Sequence, residues 1–133
     1  MALTRGMNHL GLAVRDLEQT TRFFTQLLGW TESGRDPGYP RTAVTDGVVR
    51  LTLWQVDHTL DVQPFDRRRN VGLHHLALEV ESRARLDEVH ALLRAAEGVT
   101  VEFGPEPLGA GPRMHLMCRE PGGLRLEFIW PGT

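Results

Sequence analysis

Gly-Leu-His-His-Leu-Ala-Leu-Glu-Val, Gly72 to Val80, is a near copy of Gly-Met-Asn-His-Leu-Gly-Leu-Ala-Val, Gly6 to Val14. Both read G-x-x-H-L-[GA]-L-x-V, so Gly6 matches Gly72, His9 matches His75 and Val14 matches Val80. A repeat of this kind cuts the chain into two similar halves and sets one histidine at the same place in each. Both copies alternate as half-buried strands do. Leu10, Leu12 and Val14 share one face, as do Leu76, Leu78 and Val80, and these aliphatic faces are expected against helices. The opposite faces carry His9, Gly11 and Ala13 in one copy and His75, Ala77 and Glu79 in the other. A histidine beside very small residues leaves room for something else.

Outward from the first copy, Asp16 suits a helix N-cap, with Gln19 at the capping-box spacing. Leu17, Thr20, Phe24, Leu27 and Leu28 recur with helical period, and Gly29 is a natural C-cap. Trp30 opens the next extended segment. The Gly- and Pro-rich stretch Ser33 to Pro40 reads as a turn or flexible loop. Arg41 to Thr45 reads as a strand, Asp46-Gly47 as a hairpin turn, and Val48 to Val56 as a strand. The first half is therefore βαβββ.

Residues 57–70 are polar, aperiodic and contain Pro64 and Arg67-Arg68-Arg69, as a solvated linker would. After the second copy, Ser82 suits an N-cap, Leu86, Val89, Leu92, Leu93 and Ala96 form an apolar helical stripe, and Gly98 closes it. Val99 to Phe103 should be a strand, and Gly104 to Pro112 a loop. Arg113 to Arg119 alternates, with Met114, Leu116 and Cys118 opposite Arg113, His115 and Met117. A turn at Glu120-Pro-Gly-Gly123 leads into a last strand, Leu124 to Trp130. The plan is α+β: two βαβββ modules, 1–56 and 71–133, within one domain and joined by 57–70. The final strands of the modules also align, so Arg50 matches Arg125 and Thr52 matches Glu127.

The chain has 133 residues, a formal net charge of −2 and one cysteine, Cys118. That balance gives no electrostatic case for nucleic acid or an anionic membrane surface. No apolar run approaches the roughly 18 residues of a membrane span. A single cysteine excludes an internal disulfide and points to a reducing compartment, so a cytoplasmic protein is expected.

His9-Leu-Gly-Leu-Ala-Val, Asp16-Leu17, Phe23-Phe24 through Leu28-Gly29-Trp30, His75-Leu-Ala-Leu-Glu-Val and Glu120-Pro-Gly-Gly-Leu-Arg-Leu-Glu127-Phe together resemble the vicinal oxygen chelate superfamily. That superfamily holds glyoxalase I, bleomycin-resistance proteins, extradiol dioxygenases, fosfomycin-inactivating enzymes and methylmalonyl-CoA epimerase. The resemblance implies mixed sheets curling into an open cup, with helices outside. It implies metal ligands on the first and last strands of the modules, here His9, His75 and Glu127. The fourth ligand position falls on Thr52, a poor ligand. It also implies a small-molecule substrate and pairing as homodimers, with the site formed within one chain or across two.

Two imidazoles and one carboxylate can hold Fe, Mn, Ni, Zn or Co and leave positions open for a substrate with adjacent oxygens. Such an ion polarises a carbonyl or stabilises an enolate or catecholate. Its ligands must be deprotonated, so binding should weaken in mild acid. The competing reading is a metal-free relative in which these side chains hydrogen-bond one another. His115 and Glu79, expected on the same face, could act as general acid or base beside Glu127. Packing, or a salt bridge with Arg50, Arg113 or Arg125, is the plainer role for them, and those arginines could instead hold an anionic group. Trp54, Met117 and Ile129 could form an apolar wall, with Thr52 beside them. Cys118 should face the helix layer. His74 aligns with Asn8, is expected on the opposite face, and stands outside the predicted site.

The leading expectation is a metal-dependent glyoxalase-like lyase or isomerase. An extradiol-type Fe(II) dioxygenase is the first rival, although those enzymes are usually longer. A fosfomycin-type thiol transferase fits less well: Gly11 stands where a Thr is expected, and the Gly104 to Pro112 loop lacks Lys and Ser. A non-catalytic drug- or metabolite-binding protein is the fourth.

Overall fold

The computed structural model describes all residues from Met1 to Thr133. The chain divides into two compact units, Met1–Val62 and Gln63–Thr133, with the boundary inside the polar segment 57–70. The first unit runs β1 (Leu10–Val14), α1 (Leu17–Arg22), a π-helical turn (Phe23–Leu27), β2 (Thr31–Asp36), β3 (Arg41–Thr45) and β4 (Arg50–Gln55). The second runs β5 (Leu76–Glu79), α2 (Arg83–Ala95), β6 (Thr100–Pro107), β7 (Met114–Arg119) and β8 (Arg125–Trp130).

Each unit has an open four-stranded sheet, ordered β1-β4-β3-β2 in one and β5-β8-β7-β6 in the other. In both, the first strand lies parallel to the last and the remaining pairs are antiparallel. The repeat is thus also a repeat of register: Gly11 sits opposite Thr52 as Ala77 sits opposite Glu127. The class is α+β, as the duplicated βαβββ pattern requires.

Local chemistry sets the helix starts. Asp16 Oδ1 accepts from Gln19 N at 3.0 Å, and Ser82 Oγ accepts from Arg85 N at 3.0 Å. Both caps are in extended backbone, as N-caps are. Gly29 and Gly98, at φ +76° and +80°, provide the left-handed residues that follow the helical segments.

Four expectations are corrected. The first helix does not keep its 3.6 period to Leu28, because Leu28 N donates to Phe23 O, five residues back. The Thr25 hydroxyl also donates to Thr21 O at 2.9 Å, a back-bond that bends helices. Widening the turn buries Phe23 and Phe24 together, edge to face at 5.4 Å, and leaves Leu27 and Leu28 half-buried. Next, Ser33 to Asp36 is strand rather than loop. Gly34, at φ +66°, lies where the β2–β3 register shifts, so the pairing bulges and then resumes at Asp36–Arg41. Third, β6 continues to Pro107, through what reads as loop, by bulging twice and pairing Glu106 with His115 and Pro107 with Met114. Proline is tolerated there because β6 is an edge strand. This extension brings Glu106 to the site. Finally, on α2, Leu92 is 39% exposed, so the buried stripe narrows to Leu86, Val89 and Leu93.

Candidate functional site

In the second unit the polar face is built on β8. Arg125, Glu127 and Ile129 alternate with the buried Leu126 and Phe128, and Glu127 lies between Ala77 of β5 and Met117 of β7. Ala77 is too small to cover it. His115, two pairs further along β7, is buried and places Nδ1 2.9 Å from Glu127 Oε2. The Phe103 ring lies against the His115 ring at 4.9 Å, and Glu106 Oε1 lies 3.8 Å from its Nε2. One carboxylate oxygen is therefore held. The other, Oε1, points toward His75 Nε2 at 4.0 Å, beyond hydrogen-bond range.

His75 is steadied from behind. Its Nδ1 lies 2.8 Å from Nδ1 of His74, with the two rings edge to face at 5.0 Å. His74 is therefore not turned away from the site, as its place in the alternation suggests; it lies just ahead of β5, where the pleat does not dictate direction. Arg125 Nη1 approaches His74 Nδ1 at 3.4 Å while Arg125 Nε and Nη2 each lie 3.0 Å from Glu102 Oε2. Loss of water contact, followed by the charges of Arg125, His75 and Arg67, pushes the His74 pKa down against the pull of Glu102. Arg125 and Glu102 also line an open cavity of about 410 Å³ with Arg67 and Arg119.

In the first unit, His9 is exposed just before β1, and its Nδ1 lies 2.8 Å from Asn8 Oδ1. Thr52 occupies the position equivalent to Glu127. It is buried, and its hydroxyl accepts from the Trp54 indole N–H at 2.9 Å. A Cβ on Gly11 would lie 3.2 Å from that hydroxyl, so the glycine leaves room for the threonine–indole pair. Trp54 itself is flanked by Tyr39, edge to face at 5.1 Å, and by the Arg41 guanidinium at 5.4 Å.

The remaining predicted residues are scattered. Met117 is buried beside Glu127, and Arg125 is committed to Glu102. Glu79 is exposed opposite Ile129 and makes no ion pair, so the expected bridge to an arginine is absent. Arg50 is exposed at the start of β4, and Arg113 is exposed ahead of β7. His74, Glu102 and Glu106 were missed. The alignment of His74 with Asn8 was the available signal, since both are polar residues directly preceding a repeated histidine.

Within neither unit do three or more His, Cys, Asp or Glu side chains group closely enough to hold a metal ion. The donor chemistry nonetheless suits one. His75 Nε2 and Glu127 Oε1 face each other without bonding, and His115 holds the carboxylate as outer-shell partners of ligands do.

Cys118 is fully buried on the aliphatic face of β7. Burial, with Glu120 and Glu102 nearby, pushes its thiol up to about 12. Thiolate is the nucleophile, so native protein should resist iodoacetamide at about pH 8, and urea-unfolded protein should react at once. Rapid native labelling would show that β7 opens readily.

The profile of the Glyoxalase/Bleomycin resistance protein/Dioxygenase superfamily matches residues 6–128. The chain belongs to this superfamily. Among superfamily structures, a glyoxylase/bleomycin resistance protein/dioxygenase domain from Frankia sp. superposes with a TM-score of 0.81 at 28% identity, covering 98% of this chain and 93% of that one. A 2-epi-5-epi-valiolone epimerase from Actinomyces sp. is 28% identical over 145 residues, covering 92% of this chain and 78% of the epimerase. FosX, a fosfomycin resistance protein from Listeria monocytogenes, shares the fold with a TM-score of 0.75 at 20% identity, covering 98% of this chain and 96% of that one. No helix is long and apolar enough to cross a membrane.

Proposed function

We propose that this protein is a divalent-metal-dependent, glyoxalase-like enzyme of the lyase or isomerase type. Its substrate is a small molecule that chelates the ion through adjacent oxygens; His75 and Glu127 of the second unit would hold the ion, and His9 of the first unit is the further ligand that the superfamily resemblance implies. One observation carries the reading: Glu127 presents Oε1 toward His75 Nε2 at 4.0 Å while His115 holds Oε2 at 2.9 Å. The oxygen facing His75 is thus left open for a further partner, as a ligand oxygen needs to be. The engagement of Thr52 by Trp54 supports three protein ligands rather than four. Likeness to an epimerase over most of both chains favours isomerisation over oxygen insertion.

A bound divalent ion supplies Lewis acidity toward a carbonyl oxygen, which makes a neighbouring C–H easier to deprotonate. The chain's own part begins with His115, which fixes the carboxylate plane of Glu127. Ala77, opposite Glu127, leaves space on its strand face for the substrate. Glu79 lies on the same face of β5 as Ala77 with no ion pair, and is the proposed base that takes the proton from one face of the substrate carbon and delivers it to product. A homodimer is proposed from the habit of the superfamily's small members.

The test is metal loading. Protein stripped with chelator and titrated with Mn, Fe, Co, Ni or Zn should take up one ion per site and unfold at higher temperature. No stoichiometric uptake and no shift with any of them would leave a metal-free binding protein as the function. If Fe(II)-loaded protein consumes oxygen with a catechol under otherwise anaerobic handling, the dioxygenase reading replaces the isomerase one.

A further inference from the structure

Each repeated histidine has its Nδ1 held by the residue immediately before it: Asn8 Oδ1 at 2.8 Å from His9, and His74 Nδ1 at 2.8 Å from His75. In the first unit the roles are fixed by chemistry, because an amide oxygen only accepts. His9 Nδ1 therefore carries the proton and Nε2 keeps its lone pair. In the second unit both partners are imidazole nitrogens, and either could donate to the other. Arg125 breaks the tie. Its Nη1 lies 3.4 Å from His74 Nδ1, and a guanidinium has donors only and stays charged. A nitrogen facing a guanidinium N–H accepts, so His74 Nδ1 has no proton, and its single lone pair is shared between the longer contact to Arg125 and the shorter one to His75. His75 Nδ1 must then donate, and His75 Nε2 is left as the free base. It is this nitrogen that faces Glu127 Oε1 without a hydrogen bond, as two acceptors would. Glu102 in turn holds Arg125 in place with paired contacts at 3.0 Å.

We propose that Asn8 and His74 are equivalent positioning residues, each locking the following histidine in its Nδ1–H tautomer, and that Arg125 makes His74 equivalent to an asparagine. Its bearing on catalysis rests on the metal-dependent reading above; the tautomer assignment does not. The duplicated unit thus solves one problem twice with different side chains. The second solution needs an arginine two residues before the carboxylate, and the first needs none.

The test uses isotope-labelled, metal-free, full-length protein and proton–nitrogen correlation spectra of its imidazoles at about pH 8, where imidazole is neutral. Both His9 and His75 are expected as Nδ1–H tautomers. His74→Ala should release His75 to a mixture of tautomers, and Asn8→Ala should do the same to His9. His74→Asn should keep His75 locked, because the amide oxygen accepts unaided. Both positions are exposed, so these variants should keep the wild-type fold, checked by circular dichroism. In cobalt(II) titrations, His74→Ala should weaken binding about 10–100-fold and His74→Asn only a few-fold. An Nε2–H tautomer for His75 in the wild type would overturn the proposal, as would equal tautomer mixtures in His74→Ala and His74→Asn. Wild-type protein with the Nδ1–H tautomer that binds no cobalt supports it and removes the metal-dependent function instead.

Discussion

Glu127→Gln is expected to erase the stabilisation that wild-type protein gains from a divalent metal. The substitution keeps the side chain's shape and leaves an oxygen to accept from His115, whose contact with Oε2 is 2.9 Å. Only the negative charge and one anionic donor are lost. At an ion concentration about 100-fold above Kd, wild-type protein should gain about 2.7 kcal/mol. For a chain of this size that is a rise in Tm on the order of 10 °C. The glutamine variant should show a shift near zero, with its metal-free Tm close to that of wild type. Thermal scans of both proteins with and without manganese, cobalt, nickel or zinc make the comparison. An undiminished metal shift in the variant would take Glu127 out of the ligand set.

Phe24→Ala should be the most damaging single change to the fold, costing about 3–5 kcal/mol. Phe24 is fully buried, touches the Phe23 ring edge to face at 5.4 Å and the Trp30 ring at 5.0 Å, and its carbonyl accepts from Trp30 N at 2.9 Å. The carbonyl bond survives the substitution, but the cavity stays, because the π-helical turn fixes its walls. Leu27→Ala, at a half-buried position on the same turn, should cost clearly less. Urea unfolding of both variants tests this. Similar midpoints would mean that the turn relaxes to an ordinary helix and fills the space.

The duplicated motif made much of this legible. A period of two places alternate residues on opposite faces of a strand, so the repeat foretold that Leu12 and Val14, like Leu78 and Val80, would be buried. The hairpin at Asp46-Gly47 was equally local: Asp46 Oδ1 accepts from Val48 N and Val49 N, and Gly47 takes φ +96°. Caps and turns are read well because their partners lie within a few residues. The π-helical turn, the bulges of β2 and β6, and the end of the buried stripe on α2 were not read. Each is decided by which side chain wins a place in a core built from distant parts of the chain.

The sequence alone determined the α+β plan, the two equivalent modules, the superfamily, the pairing of His9 with His75 in the repeat, and that of Thr52 with Glu127 at matching strand positions. Position along a strand, however, specifies a face and not a hydrogen-bond partner. Only the tertiary structure decided that His115 rather than an arginine holds Glu127, that Arg125 is committed to Glu102, and that His74 leans on His75. Glu102 and Arg125 are far apart in the chain and meet because β6 and β8 both pair with β7. Such pairings depend on register and bulges, which are set by the packing of whole sheets.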